Sequence, residues 1–321
     1  MNANRRRAYA ALTAAGVLWG TTVPLSKLAL GWLPPGWLTV ARFGIAAAIL
    51  MPAARGRLRR ACRPAVLAAG ALGYGGSVIV QNAGITRTSV SHAALLIGAV
   101  PVLVAVIAAL WQRTVARPLA WAGFAVSLAG IGLITGSPGG GATAAGDSLV
   151  LASALVCATV TVAQARLLRD HDPIAMTAAQ FLGAAVGVLP AAFLTEHLPS
   201  RPGSLAAAAA VAGLATAGTL APFTLFAVGQ RHVSAEVAGA FINLEPLVGA
   251  VAGIAFFANP AGPAQVAGGA AILAGIALSS YPGVRRARAR MVPHEAHDSS
   301  HGRRPADHDP QRRRAGLGAP C

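Results

Sequence analysis

Along the chain, apolar positions gather into ten long stretches divided by short polar breaks: 8–30, 36–54, 64–84, 90–112, 118–136, 147–168, 174–195, 205–229, 235–257 and 263–281. Each is close to the roughly 20 mostly apolar residues that a helix needs to cross a bilayer. The breaks hold residues that end helices, among them Pro34-Pro35-Gly36, Arg63-Pro64, Arg117-Pro118, Asp172-Pro173, Arg201-Pro202-Gly203 and Asn259-Pro260. Ala and Gly dominate within the stretches, which suits close approach of helices in lipid. The pattern predicts an all-α integral membrane protein with ten transmembrane helices. The first stretch follows Arg5-Arg6-Arg7 as a signal peptide does. It has no clean cleavage region and nine more stretches follow, so it is expected to remain as a helix.

Charge adds direction to this picture. The chain carries a net charge of +16, yet only 11% of its residues are charged, against about a quarter in soluble domains. With the N-terminus placed in the cytoplasm, 22 of the 26 Lys and Arg fall on the cytoplasmic side. Only Arg87 and Arg201 fall in outer loops, and Lys27 and Arg42 lie within stretches. That asymmetry predicts cytoplasmic N- and C-termini. The arginines sit between apolar runs and not on one face interleaved with aromatics, which argues against nucleic acid as a partner. They suit anionic lipid at the cytoplasmic surface. Cys62, Cys157 and Cys321 form no CxxC and no metal-ligand spacing. The tail 282–321 alternates Arg clusters with His, Pro and Asp without an apolar period, and reads as disordered.

The two halves of the chain match each other at constant offsets. At 138, Pro35, Phe43, Ala46, Ala47 and Pro52 fall on Pro173, Phe181, Ala184, Ala185 and Pro190. At 145, Gly73, Gly84, Pro101, Pro118, Gly123 and Gly130 fall on Gly218, Gly229, Pro246, Pro263, Gly268 and Gly275. Five helices per copy is an odd number, so the second copy enters the membrane from the opposite side, as in many secondary transporters. The expected organisation is a short tail 1–7, a first repeat 8–136, an outer Gly/Ser linker 137–146, a second repeat 147–281 and the basic tail.

Trp19-Gly20-Thr21-Thr22, Arg42-Phe43 and then Pro101, Gly123 and Gly130 resemble an EamA domain. Gly146-Asp147, Glu245-Pro246, Gly268 and Gly275 resemble a second copy. The chain thus resembles a ten-helix member of the drug/metabolite transporter superfamily. The resemblance implies a transporter of small metabolites or drugs, often an exporter, in a bacterial inner membrane. Such repeats commonly carry a Glu about thirteen residues after the proline of their fourth helix; here Thr114 and Asn259 stand there. If that Glu caps or pairs structurally in the family, the substitutions matter little; if it serves ion coupling, the usual coupling chemistry is in question here.

Polar residues inside apolar stretches are the candidates for function. Glu245 lies ten residues into its stretch, about 15 Å at 1.5 Å per residue, which is near the midplane of a bilayer core. A carboxylate there is costly unless paired, hydrated or neutralised, so it can exchange protons during a transport cycle. The alternative is a hydrogen bond to a neighbouring helix. Arg42 is read as substrate contact or packing glue, and its counterpart Gln180 as pathway or packing. Asn243 points about 200° away from Glu245. Gln164, Gln81 and Asn82 add hydrogen-bonding groups, while Trp19 and Tyr74 suit the wall of a path. Pro101 and Pro246 are candidate kinks. Lys27 is expected to snorkel to the headgroups, His92 to sit at a surface or cap, and Trp32, Trp37, Trp111 and Trp121 to anchor at interfaces.

The function predicted is secondary transport by alternating access, with no cofactor and no metal. The sequence holds no GxxxxGK[ST] phosphate loop. The alternative is a non-transporting membrane scaffold or sensor. An integral-membrane enzyme is more remote, because no convergent set of catalytic groups is visible.

Overall fold

A computed structural model describes residues 3–112, 118–135, 141–168, 171–233, 238, 241–242, 244–257 and 262–280. Thr114, Asn243, Asn259 and the tail 282–321 lie outside these residues. All regular elements among the described residues are helical. The first half holds α1 (Ala3–Gly20), α2 (Thr22–Ala29), α3 (Pro35–Ala61), α4 (Pro64–Ala68), π1 (Ala69–Gly76), α5 (Ser77–Ile85), α6 (Val90–Ile97), α7 (Val100–Gln112) and α8 (Pro118–Thr135). The second holds α9 (Ala144–Leu167), α10 (Pro173–Thr195), α11 (Leu205–Ala215), π2 (Thr216–Leu220), α12 (Ala221–Gln230), α13 (Leu244–Phe257) and α14 (Pro263–Ser280).

Seven stretches among the described residues are long and apolar enough to cross a membrane: Asn4–Ala29, Pro35–Ala61, Pro64–Ile85, Val90–Trp111, Ala144–Gln164, Pro173–Thr195 and Leu205–Gln230. The fifth and tenth predicted stretches are present as α8 and α14, and the latter part of the ninth as α13. The chain is therefore a helical membrane protein.

Two predicted boundaries move. The connection expected at 55–63 is mostly helix, because α3 runs on to Ala61 and carries Arg55, Arg57, Arg59 and Arg60 on its last turns. The apolar period stops near Ala54, but arginine is a good helix former and nothing halts the helix until Pro64. The linker also ends early, since α9 starts at Ala144. Thr143 acts as its cap, accepting from Gly146 N at 3.0 Å.

Several long helices are interrupted, and proline supplies a cause for two of the breaks. Pro24 has no N–H for the carbonyl of Gly20, and the first helix turns at Thr21, where Thr21 N reaches Leu18 O at 3.1 Å. Pro101 cannot serve the carbonyl of Ile97, and the fourth breaks at Gly98–Ala99. The stretches Pro64–Ile85 and Leu205–Gln230 carry π1 and π2. With the offset of 145, Thr216–Leu220 coincides with Ala71–Gly75 inside π1.

Contacts at glycines repeat with the same offsets. A Cβ on Gly84 meets Gly146 O and Val150, whereas one on Gly229 meets Ala8 O and Leu12. Ala8 and Leu12 lie 138 before Gly146 and Val150. Between α8 and α14, a Cβ on Gly130 meets the carbonyl of Gly268, and one on Gly275 meets the carbonyl of Gly123. Each contact maps onto the other by exchanging halves. Small residues here let the helix backbones touch.

The long helices α3 and α10 pack side by side and are tied at both ends. Glu196, just past α10, accepts from Gly36 N and Trp37 N at the start of α3 at 2.8 and 3.1 Å. At the other end, Asp172 caps α10 through Ala175 N at 3.0 Å and accepts from Arg57 Nη1 at 2.7 Å. The end of one helix thus meets the start of the other twice, so the pair is antiparallel.

Candidate functional site

The interruptions surround a cavity between the two halves of the chain. The atom-free space there, about 800 Å³, includes open solvent. Its wall combines equivalent positions of the two halves. Trp19 faces Cys157 in this sense, Thr22 is matched by Val160, and Val78 by Phe223. Gln81 is likewise matched by Phe226, Ile97 by Ile242 and Val100 by Glu245. The backbone is close to two-fold while the chemistry is not. Glu245 and the phenylalanines come from the second half, and Trp19, Tyr74 and Arg42 from the first.

Arg42 is 2% exposed overall but reaches the cavity. Its Nε donates to Thr219 Oγ1 at 2.8 Å and its Nη2 to Gly218 O at 3.2 Å. The carbonyl of Gly218 is available because residue 222, four further on, is proline and has no N–H to offer it. Glu245 also lines the cavity, is 8% exposed, and interacts electrostatically with Arg42. Among the described residues no hydrogen bond ties its carboxyl group to the protein. A buried acid and a buried base sharing one cavity offset each other's burial cost, and both face space that a ligand can enter.

Aromatic rings form the apolar side. Phe223 is their centre, with ring centroids 5.1 Å from Trp19, 4.6 Å from Tyr74, 6.0 Å from Phe43 and 5.8 Å from Phe181. Phe226 lies 5.0 Å from Trp19. Tyr74 donates its hydroxyl to Gln164 Oε1 at 2.5 Å, and Gln164 Nε2 reaches Gln230 Oε1 at 3.4 Å. A polar chain therefore leaves the cavity between α9 and α12.

Of the candidates read from sequence, Glu245, Arg42, Trp19, Tyr74 and Gln164 meet at this cavity, with Gln81 beside them. Gln180 does not. It is fully buried in α10, where its backbone touches Gly70, and its amide has no partner among the described residues. Asn243 lies outside the described residues. Pro101 is buried next to the break in the fourth helix, and Pro246 follows Glu245 in α13. Asn82 bonds Thr39 Oγ1 at 3.1 Å, as interhelical glue. Phe223, Phe226, Thr161 and Cys157 were missed as wall residues, because such residues in an apolar stretch look like packing. The repeat offset carried a signal, since Phe223 and Phe226 lie 145 beyond Val78 and Gln81.

Two other expectations change. Lys27 finds protein partners: its Nζ donates to the carbonyl of Ile85, the last residue of α5, at 2.8 Å and to Thr88 O in the turn that follows at 3.0 Å. His92 is not at the surface. It is 1% exposed, and its Nδ1 lies 3.2 Å from Asp147 Oδ2. Asp147, itself 4% exposed, also accepts from Thr88 Oγ1 at 2.6 Å. Glu245 is thus not the only buried carboxyl group.

A family model described as the EamA-like transporter family matches residues 6–136 and again 144–281. No curated protein matches the chain. Among 22 matching chains of solved structures is one described as "Crystal structure of protein", 22% identical over 85% of this chain and 96% of that one, with a TM-score of 0.66. That likeness concerns the fold.

Proposed function

The chain belongs to the EamA-like transporter family, and from that premise we propose that it moves small metabolites or drugs across a bacterial inner membrane, outward, by alternating access. The carrying observation is the cavity, whose wall pairs equivalent positions of the two matched copies. In this reading ten helices form two inverted repeats, 8–136 and 147–281, with both termini cytoplasmic and the basic segments against anionic lipid. The helix breaks at Thr21 and Gly98–Ala99 and the π segments supply bending points at cavity level. Rocking of one repeat against the other then opens the cavity to either side in turn.

The wall describes the cargo. A rigid aromatic face from Trp19, Tyr74 and Phe223 takes a planar or apolar body. Glu245 and Arg42 take polar or charged ends. Glu245 is the proposed proton carrier: it exchanges its proton for cargo as the cavity changes sides. Residues of the chain do the rest of the work, with Arg42 and Gln164 orienting the cargo.

The test is purified protein in liposomes with an imposed pH gradient and a panel of amino acids, nucleosides and cationic drugs. Gradient-driven accumulation of at least one class is expected, and Glu245→Gln should abolish the response to the gradient while leaving exchange down a concentration gradient measurable. Flux that ignores the gradient removes the proton step. Absence of flux for the whole panel counts against the transporter reading.

A further inference from the structure

At the end of the molecule where the linker between the halves joins α9, three polar side chains from separate elements meet, and a lysine holds the turn that carries one of them. Lys27 comes from α2, Thr88 from the turn between α5 and α6, His92 from α6 and Asp147 from α9. Lys27 holds the carbonyls of Ile85 and Thr88, and the Thr88 hydroxyl holds Asp147, whose second oxygen meets His92. The same turn is gripped again from the second half: Thr143 N and Thr143 Oγ1 both donate to Arg87 O, at 3.1 and 2.8 Å, and a Cβ on Gly146 would meet that carbonyl.

We propose that Thr88 and His92 on Asp147, with Lys27 holding the turn that carries Thr88, form a conformational latch that ties the two halves together at the linker end and biases the protein toward the state closed on that side. The proposal rests on the alternating-access reading above. In an inverted repeat the two closed states are related by exchange of the halves, so perfectly matched halves would make them equal in energy. Here the exchange fails at all four positions. The offsets place Ala165 opposite Lys27, Val233 opposite Thr88, Val237 opposite His92 and Tyr9 opposite Asp147. At the linker end a hydroxyl and a histidine reach a carboxylate, and a lysine holds the carbonyl of the residue that bears the hydroxyl; the equivalent positions offer three aliphatic side chains and a phenol.

The latch can also be released. His92 Nε2 is buried and has no hydrogen-bond partner among the described residues. Closure therefore leaves one polar nitrogen dry, a cost that water removes when the end opens. The bonds through Asp147 favour closure and the dry nitrogen opposes it, which keeps the two states within reach of each other.

Cys157 on the cavity wall reports which side is open. In a Cys62→Ser, Cys321→Ser background it is the remaining thiol, and a membrane-impermeant maleimide can be applied to either face of oriented vesicles. A separate Ala142→Cys variant identifies the linker face. Asp147→Asn and Thr88→Val are each expected to raise the labelling rate of Cys157 from the linker face at least threefold and to lower it from the opposite face. Ser89→Ala, which removes the cap accepting from His92 N at 3.1 Å without touching Asp147, should weaken α6 without that exchange of sides. Rates within a factor of two of the parent in both latch variants, or a parallel rise from both faces, overturn the latch. Labelling needs no cargo, so sidedness that shifts while no compound is transported supports the latch and counts against the transport reading alone.

Discussion

Arg42 shows how a single side chain can be both framework and wall. Its guanidinium donates to a hydroxyl and a carbonyl of π2, those of Thr219 and Gly218, and the same group borders the cavity. A lysine keeps the charge but cannot reach both acceptors with a fixed fork. Arg42→Lys should therefore cost about 1–3 kcal/mol of stability, the range for an unsatisfied buried polar group, read as a lower melting temperature in detergent. Phe223 is a second such residue. Phe223 is only partly buried, so Phe223→Ala should cost less than the roughly 3–5 kcal/mol of a fully buried aromatic truncation, whereas Phe223→Leu should be mild in stability yet weaken cargo binding. Comparing thermal melts with cargo affinity for the two variants separates packing from recognition. Arg42 and Glu245 were legible in the sequence because a charge in an apolar stretch demands a partner. Phe223 was not, since a phenylalanine there reads equally as lipid-facing; and the partners of Lys27 and His92 lie 58 to 61 and 55 residues away, beyond what local pattern can join.

At the scale of elements, helix ends carry most of the specific chemistry. The ties between α3 and α10 are unequal. The Arg57–Asp172 pair is exposed, with side chains 53% and 24% accessible, so Arg57→Ala should cost less than about 1 kcal/mol. Asp172→Ala also removes the cap of α10 and should cost about 0.5–2 kcal/mol. Glu196→Ala frees two N–H groups at the start of α3 and belongs in the same range. Gly56→Ala, where added bulk meets nothing within 4 Å, should instead stabilise α3 by up to about 1 kcal/mol. Melting of the four variants side by side checks the order. Helix existence was written plainly in the apolar runs and prolines. The π segments were not, because a one-residue widening of a helical turn leaves no change in apolar period, and the end of α3 was misplaced because a membrane-length run and a helix need not stop together.

At the scale of the whole molecule, the repeat read from matched prolines and glycines reappears as matched contacts, which is why so much of the architecture was legible. Gly84 against Gly146 and Gly229 against Ala8 are one contact made twice. What the offsets could not supply was how the cavity departs from its own symmetry, since that depends on which unlike residues occupy equivalent positions. Gly130→Leu and Gly275→Leu should each disrupt the α8–α14 crossing, measured as loss of monodisperse protein on size-exclusion chromatography, and to similar extents. The crossing has a further meaning. Gly123 and Gly130 of one half meet Gly275 and Gly268 of the other in the reciprocal pattern of an isologous interface: one surface, presented twice, recognising itself. The two halves made as separate polypeptides should therefore reassemble across this contact, and a first half made alone already carries the surface with which to pair with its own copy.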